Sequence, residues 1–446
     1  MSLQPVIGQH GLDDVLAWRP SGPVRVHTFL KHAQALAAQL PPCAWLLNMC
    51  EDRYHFAVGF IAGLLAQKIS LQPSSQSPET LKRIAFDYPD VICLKDGPGD
   101  WGAMTCIEFP DLSESENADL TEIPTLPRDQ IAAILFTSGS TGTPQPHPRT
   151  FGQLEQSALS EADGLGVLNL APAIVGTVPA QHSFGFESTF LLALYGGCSF
   201  WSGKPFYPQD IADALSAVPM PRMLVTTPFH LSALVGSGLR LPKIEMVLSA
   251  TAPLSALLAM QAETYASAPV HEIYGSTETS ALATRRTTDG LMWTLLPGVA
   301  LRQEGEATYA SEGHVPSRVA LSDVVALSGE RQFLLQGRHA DLVNIAGKRT
   351  SLAYLDVQVS EIEGVRDVAF FLPDAEANRI GRLTAFVVAP GIARTDLVAA
   401  MRQRLDAVFM PRPLIQLDVL PRNSLGKLPR SQLQALYEEK RGHVRD

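Results

Sequence analysis

Residues 131–150 read IAAILFTSGSTGTPQPHPRT, and the rest of the chain is placed by how this stretch is read. Residues 131–136 are apolar and partly β-branched, the pattern of a buried strand. The strand breaks where Thr137, Ser138, Gly139, Ser140, Thr141, Gly142 and Thr143 begin. Gly139 and Gly142 let the backbone turn its N–H groups toward an anion, and the hydroxyls add donors without bulk. Such a loop suits phosphate, although an ordinary surface turn uses the same residues. The Walker loop is excluded, because that motif needs Lys and then Ser or Thr after its last glycine. Here Gly142 is followed by Thr143 and Pro144.

On the N-terminal side, apolar spacing predicts a helix over 29–40 with Thr28 as its cap, then a strand at 44–47. Helices at 52–67 and 78–86 alternate with strands at 69–72 and 91–93, and the stretch 108–130, rich in Pro, Asp and Glu, reads as an exposed connector. This alternation indicates α/β architecture with parallel strands. On the C-terminal side, a helix over 151–165 and a strand over 174–179 lead into a polar and aromatic loop, QHSFGF, at 181–186. Strands at 222–226, 246–249 and 270–273 follow. The second of these opens into SATAPL (249–254) and the third into YGSTETS (274–280). Two small-residue turns at the ends of neighbouring strands make a crevice in which a nucleotide can lie. Beyond Trp293 the texture is short strands and turns, a β-rich subdomain. From Gly337 the sequence GRHADLVNIAGKRTS opens a small α+β unit, which closes with PRNSLGKLPR at 421–430.

At 446 residues the chain has length for two or three domains or subdomains. Hydrophobic residues at 46% and charged residues at 18% make it globular. A formal charge of −10 argues against a nucleic-acid partner, whose phosphates must be neutralised by Lys and Arg. The five cysteines (Cys43, Cys50, Cys93, Cys106, Cys198) form no CxxC pair, so neither a zinc site nor a disulfide framework is indicated. A reducing cytoplasm is the expected location. The N-terminus lacks a basic region followed by an apolar run, and the most apolar helix, 56–66, is too short to span a bilayer.

Five separated strings, FTSGSTGTP, SATAPL, YGSTE, the segment 323–338 and PRNSLGK, stand in an order that resembles the adenylate-forming (AMP-binding) superfamily, closest in character to the acyl- and aryl-CoA synthetases. The resemblance implies a large N-terminal domain of stacked sheets and helices over 1–338, a hinge at 339–341 and a small mobile α+β domain over 342–446. It implies ATP, Mg2+ and a thiol acceptor, either coenzyme A or the phosphopantetheine of an acyl carrier protein. The chemistry of each string fits. Thr137, Ser138, Gly139, Ser140, Thr141 and Gly142 would cradle phosphate. Tyr274 beside Gly275 would stack on adenine, with the backbone of Ala250, Thr251 and Ala252 as the other wall. A carboxylate beside a triphosphate needs a cation between them, so Glu278, following Thr277, is the candidate Mg2+ ligand. Asp323 matches the acid that takes both ribose hydroxyls, and Arg338 matches a hinge-side arginine contacting ribose or phosphate. Lys427 matches a cation delivered to the α-phosphate as the acid attacks, where it stabilises the transition state more than the ground state. His182, Phe184 and Phe229 are candidates for the acyl pocket or thiol route, and Gly347 for the pantetheine channel. A satisfied structural histidine is an equal reading of His182.

The sequence also departs from the family pattern. Pro144, Gln145 and Pro146 stand where relatives have Pro-Lys-Gly, so one phosphate-directed cation is missing, with Arg149 and His147 as possible replacements. Ala340 stands where the family carries an acid. The activity implied is formation of an acyl-adenylate from a small carboxylic acid, aryl or acyl in type, followed by transfer to a thiol. Two other readings stay open. Phe186, Glu187 and Ser188 echo the FDxS of amino-acid adenylation domains, and the departures admit a nucleotide-binding regulator without catalysis.

Overall fold

The computed structural model describes residues 2–73, 76–99, 101, 104–112, 120–137, 145–305, 307–338, 342–345, 348–373, 383–423 and 428–441. Strands Trp45–Asn48, Ile69–Gln72, Ile92–Lys95 and Thr105–Glu108 run parallel, with Ile131–Thr137 parallel to Ile69–Gln72. The antiparallel strand Gln145–Thr150 completes this six-stranded sheet as its edge. Pro146 and Pro148 are tolerated there because an edge strand can spare their missing N–H groups.

A second sheet of eleven strands carries Ala173–Gly176, Arg222–Thr226, Met246–Ser249 and Val270–Ser276 in parallel at its centre. Between the two sheets lie the helices Val26–Gln39, Arg53–Leu65 and Phe151–Gly164 and the helical run Ser183–Tyr195, sharing one apolar core with both. Phe56 and Phe60 meet Phe186 and Phe190 there in edge-on contacts, with ring centroids 5.2–6.3 Å apart. Helices Pro208–Ala217, Pro228–Ser237 and Ala256–Ala266 cover the other face.

Arg53 is a buried cation in this core. Its Nη1 donates to the carbonyls of Trp201 and Gly203, and its Nη2 to those of Gly176 and Val178, tying two strand ends to the first turn of a helix. Burial lowers its pKa to about 10. Asp52 caps the same helix, accepting from the backbone N–H groups of Tyr54 and His55.

Strands Ala300–Glu304, Ala307–Ser311 and Val319–Ala320 form a small sheet, in keeping with the β-rich texture beyond Trp293. Strand Asp323–Ser328 then pairs with Gln332–Arg338, which returns to the edge of the large sheet. The hairpin Leu342–Ile345 with Lys348–Ser351 follows, then helix Leu352–Ser360. A three-stranded sheet (Asp367–Phe371, Thr384–Val388, Leu414–Gln416) and helices Arg394–Arg404 and Arg430–Arg441 enclose their own cores. At Gly337, φ is +124° and an added Cβ would lie 2.5 Å from Cβ of Ser351. Glycine is therefore required where the last strand meets the helix cap at Ser351.

Three expectations need correction. The first helix begins at Val26 with Arg25 as its N-cap, so Thr28 lies inside the helix and does not cap it. The segment 181–186 is only partly loop: His182 caps a helix that starts at Ser183 and winds as a π-helix over Phe186–Leu191. The 108–130 connector contains Thr125–Pro127, which pairs with Leu3–Pro5, and Leu126 is buried. Among the described residues no helix is long and apolar enough to cross a membrane.

Candidate active site

The parallel strands Met246–Ser249 and Val270–Ser276 are neighbours, with Ser249 opposite Glu272, so the turns that follow them open on the same sheet end. In the first turn Thr251 holds φ at +80°, a conformation costly for a β-branched residue and concentrated at functional sites. Ala250, Thr251 and Ala252 thus stand in a turn at the same sheet end as the second one. There Tyr274 packs against Trp293 and Phe333, and its hydroxyl donates to Oδ2 of Asp323 at 2.9 Å. Strand register in turn sets Asp323 opposite Arg338. The proposed base, ribose and hinge-side positions therefore meet at one edge, although nothing is described of the Arg338 side chain.

On the phosphate side, Thr137 ends its strand, while Ser138, Gly139, Ser140, Thr141 and Gly142 lie outside the described residues, as do the 339–341 hinge, Gly347 and Lys427. The chain returns as the strand Gln145–Thr150, in which His147 and Arg149 share one face by the two-residue period. His147 Nε2 lies 3.2 Å from the Thr137 hydroxyl. Its pKa is lowered chiefly by burial, against the opposing pull of Glu278. Arg149 is buried and donates to the carbonyls of Thr277 (2.8 Å) and Glu278. Of the two residues weighed as replacements for the missing lysine, Arg149 is committed to the Thr277–Glu278 turn and His147 faces the phosphate strand.

Thr277 and Glu278 are half-buried. Among the described residues no group of three or more His, Cys, Asp or Glu side chains is placed to hold a metal ion alone. The donor set fits a cation that takes one carboxylate from Glu278 and its other oxygens from triphosphate and water.

The residues proposed for the acyl side stand at the helix that begins at Ser183. The Phe184 backbone N–H donates to Nδ1 of His182 at 3.2 Å, which leaves that ring's proton on Nε2. An added Cβ at Gly185 would sit 2.1 Å from the Pro179 carbonyl oxygen, so only glycine lets the helix start so close to the preceding strand. Phe184 is buried, whereas Phe229 is 44% exposed and can line a pocket only at its mouth. Its neighbour His230 is buried, with Nδ1 2.9 Å from the Thr227 hydroxyl and Nε2 without a partner among the described residues. Burial pushes the pKa of His230 down to about 4.

Several polar groups around the site escaped sequence reasoning. Glu187 is buried and accepts from the Ala281 N–H at 3.0 Å; burial pushes its pKa up to about 7, with Arg149 opposing. Glu161 is fully buried beside Ser188, and burial pushes its pKa up to about 8, with a hydrogen bond from Ser188 opposing. A carboxyl whose folded pKa lies above its unfolded value stabilises the fold below the unfolded value, and that contribution is lost as pH rises through the folded one. Thermal stability is therefore expected to fall between pH 6 and pH 8.5, and Glu161→Gln to flatten that fall. Melting curves of both proteins across this range check it.

Residues 66–307 match the AMP-binding enzyme family. This chain belongs to that family. Among curated AMP-binding relatives, a 4-coumarate–CoA ligase of Rhodobacter capsulatus is 31% identical over 279 residues, covering 62% of this chain and 68% of the relative. A 2-succinylbenzoate–CoA ligase of Staphylococcus epidermidis is 24% identical over 361 residues, covering 73% and 74% respectively. The O-succinylbenzoate coenzyme A synthetase of Bacillus subtilis, solved in complex with ATP and magnesium ion, superimposes with a TM-score of 0.81 at 18% identity, over 97% of this chain and 100% of that one. The AMP-binding fold thus extends over nearly the whole chain.

Proposed function

We propose that this AMP-binding enzyme is an acid–thiol ligase. A carboxylate oxygen attacks the α-phosphorus of ATP, the bond to the β-phosphate oxygen breaks, and acyl-adenylate and pyrophosphate form. A thiol then attacks the acyl carbon, the acyl–phosphate bond breaks, and AMP leaves as the thioester forms. The observation that carries this reading is the bond from Tyr274 to Asp323, which puts an aromatic ring and a ribose-type carboxylate on the same edge. In this reading Tyr274 and Asp323 orient the nucleoside and the loop from Ser138 to Gly142 holds the phosphates. Lys427 meets the charge built up in the first step. Glu278 would hold Mg2+, which neutralises triphosphate charge when bound.

The names of the relatives support an aryl or acyl acid as substrate and coenzyme A as acceptor. A carrier-protein phosphopantetheine presents the same thiol and remains the other acceptor of this reading. Glu187, which stands where an amino-acid-activating domain places its acid, already accepts a backbone N–H, and this favours an acid without an α-amino group. The boundaries 1–338, 339–341 and 342–446 belong to the same proposal, with a separate apolar core in the last segment as support.

The test is pyrophosphate release from ATP and Mg2+ with a panel of aromatic, fatty and amino acids, run beside Asp323→Ala. One acid class is expected to trigger release, and the substitution to raise the KM for ATP at least ~10-fold through loss of a charge-assisted hydrogen bond. ATP binding without release for any acid would favour the regulator reading.

A further inference from the structure

We propose that Arg149 is a positioning residue that fixes the Thr277–Glu278 turn, so that the Glu278 carboxylate is presented to a divalent cation. This rests on reading Glu278 as the metal ligand. Arg149 is 3% exposed, and its guanidinium donates to the carbonyls of Pro148, Thr277 and Glu278. The strand pairing keeps register through Arg149 opposite Ala133 and then skips Ala132 before Thr150 meets Ile131, so Arg149 is the last regularly paired residue before the strand turns into the following helix. The result is a bridge between two segments of opposite function. One end is the return arm of the phosphate loop, and the other is the backbone of the candidate metal ligand.

The charge of Arg149 is balanced across this bridge. Glu187, on the helix of the acyl side, and Glu278 are both within electrostatic reach of the guanidinium. Glu187 is itself held by the N–H of Ala281, in the strand Ser280–Arg286 that follows the turn. Arg149 therefore ties the phosphate arm to the metal turn by hydrogen bonds, with Glu187 adding charge balance from the neighbouring helix. Its Nη1 and Nη2 are turned inward to carbonyls, while its buried Nε has no partner among the described residues. A lysine copies this role only in part, because a single ammonium cannot hold the Pro148 carbonyl from one nitrogen while a second nitrogen serves Thr277 and Glu278.

The direct readout is Mn2+ binding to the enzyme saturated with α,β-methylene-ATP, followed by electron paramagnetic resonance, for Arg149→Met, Arg149→Lys and Glu278→Gln. Arg149→Met is expected to weaken Mn2+ binding by ~10- to 100-fold, the usual cost of losing a group that orients a metal ligand. Arg149→Lys should be weakened as well, and it carries the test should Arg149→Met fail to fold. The double variant Arg149→Lys/Glu278→Gln should bind no more weakly than Glu278→Gln alone. Wild-type affinity in both Arg149 variants, with Glu278→Gln weakened, would overturn the inference and leave the metal reading intact. Wild-type affinity in Glu278→Gln would remove the metal reading and this inference together.

Discussion

Lys427→Ala is expected to lower acid-dependent pyrophosphate release at least ~100-fold, with transfer from a preformed acyl-adenylate to the thiol unchanged. The reason lies in where charge develops. Attack of a carboxylate on the α-phosphate brings two anions together and builds negative charge on phosphoryl oxygens, so a cation placed there acts mainly in the transition state. Loss of one such donor costs ~3 kcal/mol or more, which corresponds to the factor given. In the second step the leaving group is AMP and the attacked atom is an acyl carbon, so the same cation is not required. Measuring the two half-reactions separately checks this. Equal loss in both would show that Lys427 supports folding or general nucleotide binding and not the first step.

Arg53→Met is expected to destabilise the folded protein by roughly 3–5 kcal/mol, since each buried carbonyl left without its donor costs about 1–3 kcal/mol. Methionine approximates the length of the stem but supplies no donor. The carbonyls of Gly176, Val178, Trp201 and Gly203 would then lose their shared partner, those of Gly176 and Val178 in the buried interior. Arg53→Lys should recover part of the loss, since an ammonium can serve some of these carbonyls but not all of them. Denaturant unfolding of the three proteins gives the ranking. Because Val178 lies just before the turn that leads to His182, Arg53→Met should also impair turnover of any acid substrate beyond its effect on stability.

The parts of the fold legible in the sequence are those where one local signal suffices. The strands Ile131–Thr137, Met246–Ser249 and Val270–Ser276 are apolar runs closed by small residues, and they appear within a few residues of their expected places. Tyr274 and Asp323 are separated in sequence by a small sheet, yet each stands in a recognisable string, and the structure bonds them. What stayed hidden depends on burial of groups that sequence reads as surface. Arg53 and Glu161 look like ordinary polar positions on helices and are sealed inside. Arg149 reads as a surface cation on an edge strand, and no residue pattern announces that its guanidinium turns to the carbonyls of Thr277 and Glu278. The HSFGF segment reads as loop because of its glycine. That glycine is instead the one residue small enough to let a helix begin against the Pro179 carbonyl.

The two prolines of the Gln145–Thr150 strand have a consequence for how the molecule behaves at high concentration. An open sheet edge ordinarily offers a row of unpaired donors and acceptors to any passing strand, and such edges seed aggregation and domain exchange. With Pro146 and Pro148 on the outermost strand, two of those donors do not exist and the edge cannot template another copy in full register. The strand Gln145–Thr150 is therefore a poor partner for another polypeptide, and replacing both prolines would be a direct route to a less soluble protein.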